Sequence, residues 1–86
     1  MNPKVYLVQG STGEYDDYRD WIVCAWSTRT QARRHAIALI KRMSVLGDGI
    51  KDIFSKETES MREHDPYFSC DYTGTEYDII EVEVRG

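Results

Sequence analysis

Cysteine and long apolar runs are what this sequence most plainly lacks. Only two cysteines, Cys24 and Cys70, occur in 86 residues. That is too few for the disulfide framework of small secreted domains. They read most simply as buried free thiols in a reducing cytoplasm, with a bridge between them as the alternative. No run of about 18 apolar residues exists, which removes a transmembrane helix. Met1-Asn2-Pro3-Lys4-Val5 leads straight into a strand-like segment and has no signal-peptide layout.

The usual catalytic and metal signatures are missing too. Gly10-Ser11-Thr12-Gly13 follows a strand-like run but continues into Glu14, Asp16 and Asp17, with no P-loop lysine and no following helix pattern. Carboxylates repel phosphate, so the segment reads as a turn. Its serine is not central in a Gly-x-Ser-x-Gly elbow. The acids there lack the alternating ligands and glycine of a calcium loop. Cys24, Cys70, His35 and His64 match no zinc spacing, and nothing in the sequence brings a cysteine against a histidine for nucleophilic catalysis. No enzyme activity and no cofactor are expected.

What is present describes one soluble domain over residues 1–86. Hydrophobic residues make up 41% and charged residues 30%, which is a globular profile. At this length a chain buries only about 60–65% of its unfolded surface, so the core is modest. Lys4–Gln9 is rich in β-branched and aromatic residues and reads as a strand. Tyr6 and Val8 lie on one face and Val5 and Leu7 on the other, and two apolar faces suit a central position. Asp20–Trp26 is a second strand, expected to pair with the first as a long-looped antiparallel hairpin.

Thr28-Arg29-Thr30-Gln31 fits a capping box. The helix it opens, over 29–46, buries Ala32, Ala36, Leu39, Ile40, Met43 and Leu46 by their spacing. Gly47-Asp48-Gly49 ends it. Ile50, Ile53, Phe54 and Met61 predict a shorter helix over 50–62, stopped at His64-Asp65-Pro66. Phe68, Cys70 and Tyr72 alternate with polar residues and hint at a short strand. Residues 77–84 predict a last strand, where adjacent Ile79 and Ile80 call for two covered faces or a bulge. The fold class is α+β: a two-layer, mostly antiparallel sheet of three or four strands, order β-β-α-α-(β)-β, with the helices on one face.

Charge is unevenly spread. Residues 29–47 carry five cations and no acid, while all fifteen acids and six cations lie elsewhere. Arg34 and Lys41 share an exposed line of the basic helix. Nucleic-acid binding through it is disfavoured by the acidic remainder and an isoelectric point near 5.0. Two loops combine acids with aromatics: Glu14, Tyr15, Asp16, Asp17 and Tyr18 in one, Asp71, Tyr72, Glu76 and Tyr77 in the other. Tyrosines dominate contact surfaces because they bury much area at little entropy cost, and carboxylates among them steer toward a basic partner. These nine residues are the candidate binding face. The alternative is that the tyrosines cap the ends of a small core. A metal bound between the two loops, should they meet, is a further alternative.

The stretch Lys4-Val5-Tyr6-Leu7-Val8-Gln9-Gly10-Ser11-Thr12-Gly13-Glu14-Tyr15, the Trp21-x-Val23-x-Ala25 strand and Asp71-Tyr72-Thr73-Gly74-Thr75-x-Tyr77 resemble a group of small proteins encoded by bacteriophages and prophages. The likeness runs over nearly the whole chain. It implies a phage accessory protein in the bacterial cytoplasm, a setting in which small acidic proteins bind and inhibit a host or defence protein, as anti-CRISPR proteins do. The expected function is therefore non-enzymatic binding and modulation of a host or defence protein with a basic surface, away from membranes. A small metal- or nucleic-acid-binding domain, or a minor enzyme, is the alternative.

Overall fold

The computed structural model describes residues 3–85. Met1 and Asn2, which open the N-terminal segment read above, lie outside the described residues, as does Gly86. The elements are β1 (Lys4–Thr12), a 3-10 turn (Tyr15–Asp17), β2 (Arg19–Trp26), α1 (Arg29–Leu46), a 3-10 segment (Gly47–Lys51), α2 (Lys56–Arg62) and β3 (Thr75–Glu83). The fold is α+β, with three antiparallel strands in the order β2-β1-β3. β1 is central, as its apolar faces suggested, and runs three residues further than its β-branched stretch.

The β1–β3 register is continuous from Lys4 opposite Glu83 to Thr12 opposite Thr75. The irregularity lies on the other side. Val8 faces Cys24 but Gln9 faces Ile22, which leaves Val23 as the extra residue of a bulge. Trp21 and Trp26, which strict alternation would put on opposite faces, thereby come to the same one. Ile79 and Ile80 adjoin without a bulge on β3. Ile79 joins the core, and Ile80 points to the sheet's other side.

α1 packs on the face that carries Tyr6 and Val8. Ala32, Ala36 and Leu39 are buried there, with Met43 and Leu46 against the same cluster. Ile40 departs from expectation and stays 46% exposed. One helix on a three-stranded sheet buries a narrow stripe, and Ile40 lies at its margin. At the start of α1, Thr28 Oγ1 accepts from the Gln31 amide at 3.2 Å. The Gln31 side chain returns to the Thr28 and Ser27 hydroxyls, whereas a capping box returns to the backbone amide. Arg29 lies 3.6 Å from Glu81 and over the Tyr6 ring, which ties the helix start to β3 and β1.

The helix expected over 50–62 is split. Asp52 Oδ1 accepts from the Phe54 amide, and Ser55 Oγ caps α2 by accepting from the Thr58 amide. These local side-chain bonds compete with helix continuation. Ile50 and Met61 remain buried, but Ile53 and Phe54 turn to solvent. Residues 68–72 form no strand. Phe68 enters the core, and Asp71 makes one isolated bridge to Gly74.

Candidate functional site

Both acidic-aromatic loops emerge at the same end of the sheet. The first leaves β1 through Gly13, whose φ is +88°. A Cβ at that position would collide with the Asp17 carbonyl, so the tight return depends on glycine. The turn is closed by the Asp17 amide on the Glu14 carbonyl and the Tyr18 amide on the Tyr15 carbonyl. Tyr15 is the only non-glycine residue among those described with a positive φ, at 53°, and it is 94% exposed. A bulky side chain in the left-handed region is uncommon and costs backbone strain.

Thr12 fixes the second loop beside the first. Its buried hydroxyl donates to the Gly74 carbonyl at 2.7 Å and accepts from the Asp71 amide at 2.8 Å. Asp16, Asp17 and Arg19 therefore share one depression of about 490 Å³ with Cys70 and Asp71. A smaller one, of about 220 Å³, lies between Glu14, Tyr18, Gly74 and Glu76. Thr12→Val should leave both backbone partners without a bond and cost about 1–3 kcal/mol. In an amide-exchange experiment, protection should fall first at Asp71 and Gly74.

Eight of the nine residues expected on the binding face are brought together at this end. Tyr72 is exposed and Asp71 half-buried. Tyr77 is the exception. It is buried in the core, and its hydroxyl donates to Asp65 Oδ2 at 2.7 Å. Burial first, and then that hydrogen bond and the Asp65 charge, raise its pKa well above the ordinary tyrosine range. Of the two readings of these tyrosines, Tyr77 fits core capping while Tyr15, Tyr18 and Tyr72 stand in solvent. Although the loops meet, no three His, Cys, Asp or Glu among the described residues are placed to hold a metal ion.

Asp65 escaped the sequence reading. It is fully buried and accepts from Trp21 Nε1 at 2.8 and 3.1 Å, from Tyr77 and, at 3.3 Å, from the Tyr67 amide. As the residue before a proline it looked like a helix stop, and its side-chain partners lie 44 and 12 positions away. The Cys24–His35 contact was also missed: Sγ lies 3.6 Å from Nδ1. Burial raises the thiol's pKa, the reverse of what a thiolate nucleophile requires. Both cysteines are free and half-buried.

On α1, Arg33, Arg34 and Lys41 form no ion pair among the described residues. Among the described residues, no helix is long and apolar enough to cross a membrane. No protein-family profile, curated protein or solved structure matches the chain.

Proposed function

We propose that this chain is a non-enzymatic binding protein that engages a partner with a basic surface through the loop end of its sheet. The observation that carries the reading is Tyr15, held in a left-handed conformation and almost fully exposed between Glu14 and Asp16-Asp17. An aromatic in that setting contributes nothing to the core, and it offers rigid contact area within a field that attracts cations. The resemblance to phage-encoded proteins supports a host or defence protein in the bacterial cytoplasm as the partner, and modulation or inhibition as the outcome.

Replacing Asp16 and Asp17 by Lys tests the reading. Both side chains are exposed, so the melting midpoint should stay where it is. Capture of a partner from bacterial lysate should weaken more than about tenfold, through slower encounter and like-charge repulsion. Equal capture by parent and variant would overturn the proposal. Loss of capture in Arg34→Glu with Lys41→Glu instead would assign binding to the basic helix, and with it the nucleic-acid alternative.

A further inference from the structure

The sheet has a second face that no helix among the described residues covers. β1 turns Val5, Leu7, Gln9 and Ser11 to it. Across the register, Leu7 stands between Ala25 and Ile80, Val5 beside Val82, and Gln9 between Ile22 and Asp78. Neither helix packs here, and none of these apolar residues belongs to the core cluster or to the side chains packed against it. Ile22 and Val82 are 43% and 38% exposed. The Val84 amide, bonded to the Pro3 carbonyl, continues the row. An antiparallel sheet with a solvated face normally turns polar side chains outward. Here half of that face is a contiguous apolar patch of the kind that marks an interaction site.

The other half of the face is acidic. Asp20 and Glu76 flank Ser11 on the two outer strands, and Asp78 lies beside Gln9. None of the three carboxylates forms an ion pair among the described residues, and no cation shares this face. The dimensions are narrow. Nine residues of β1 at about 3.3 Å each give a strip of about 30 Å, and three strands at about 4.8 Å spacing make it about 14 Å wide. One α-helix, about 10–12 Å across, fits that width.

A second copy of the chain fits worse. Two full faces stacked with their strands parallel would set three carboxylates against three. Stacked antiparallel, they would bury those carboxylates on the valines. Sliding the copies until only the apolar halves overlap leaves about 210 Å² of projected area, far below the ~800 Å² per partner of a stable interface.

We infer that this open sheet face is a docking surface for a basic amphipathic helix of a partner protein, with its apolar side on Leu7, Ile22, Ile80 and Val82 and its Lys or Arg residues over Asp20, Glu76 and Asp78. The helix would add a third layer to the domain. The inference rests on the reading of the chain as a binding protein and names the chemistry of what it binds.

The probe is a leucine–lysine peptide of about 18 residues with a helical apolar stripe, long enough to span most of the strip. It is titrated into the full chain and followed by methyl NMR. Its controls are a scrambled peptide of the same composition and a leucine–glutamate analogue. The methyl signals of Leu7, Ile22, Ile80 and Val82 should move with the probe and stay still with both controls. Leu7→Thr with Ile80→Thr keeps strand-forming residues and should weaken binding more than about tenfold. An unchanged Trp21 indole resonance verifies that this variant is folded.

Unweakened binding by the folded double variant overturns the inference. So do shifts confined to α1 or the loops, shifts of equal size with the scrambled peptide, and a dimer in sedimentation that the double variant abolishes. Failure of the loop reading is a separate result: equal partner capture by the Asp16→Lys/Asp17→Lys protein removes the loops and leaves the peptide titration standing.

Discussion

Asp65→Ala is expected to cost about 3–5 kcal/mol, because each buried donor left without a partner costs about 1–3 kcal/mol. Its carboxylate receives the Trp21 indole N–H, the Tyr77 hydroxyl and the Tyr67 amide, so one truncation strands three donors. Total stability of a small domain lies near 5–15 kcal/mol, and a urea titration should show the midpoint falling by a large fraction. Asp65→Asn should cost less, about 1–2 kcal/mol. Its carbonyl oxygen still accepts from Trp21, and the Tyr77 hydroxyl can turn to accept from the amide nitrogen.

The same contact should make stability fall at alkaline pH. The Tyr77 pKa is raised in the folded chain, whereas in the unfolded chain the hydroxyl ionises near pH 10. Above that pH the unfolded state binds fewer protons than the folded one, so stability is fully present below about pH 10 and falls as pH rises, with a slope approaching 1.4 kcal/mol per pH unit. The Cys24 thiol, raised by burial, adds to the slope with the same sign. Tyr77→Phe should remove the larger part of the slope. An unaltered slope in that variant would show that Tyr77 does not control it.

Gly10→Val is the second large effect, expected at about 3–4 kcal/mol. Gly10 lies in β1 between Trp21 on β2 and Tyr77 on β3. A Cβ there would stand 2.5 Å from the Trp21 ring and 2.7 Å from its Nε1. The indole lies across the strand in the space the glycine leaves, and that position brings Nε1 to Asp65. A valine displaces it. The cost combines overpacking of about 1–3 kcal/mol with the lost bonds to Asp65. Tryptophan emission should shift red before unfolding begins. Combined with Asp65→Ala, the loss should fall well short of the sum, because both changes break the same contact. Full additivity would mean that Gly10 and Asp65 act independently.

The sequence by itself determined the elements whose signals are local. The 29–46 helix was legible to the residue, because its threonine cap, its apolar period and its terminal glycine all lie within or beside it. The three strands and the central place of β1 followed from β-branched runs and from apolar residues on both sides of Lys4–Gln9. The two acid-tyrosine loops were legible as candidate contact surfaces through composition alone.

Tertiary structure decided the rest. The bulge at Val23 is a matter of register against β1, and only it brings Trp21 onto the same side as Trp26. Burial of Asp65 depends on donors from β2 and β3, so no local pattern distinguishes it from an ordinary helix stop. Tyr77 shares the composition of its exposed neighbours, yet its register opposite Gly10 puts it on the helix-packed side of the sheet, where its hydroxyl meets Asp65. Both faces of β1 are apolar, but apolar residues do not specify what covers them. Packing put α1 on one side and left Val5, Leu7, Ile80 and Val82 on the other, since a chain of this size supplies helices enough to bury only one face of its sheet.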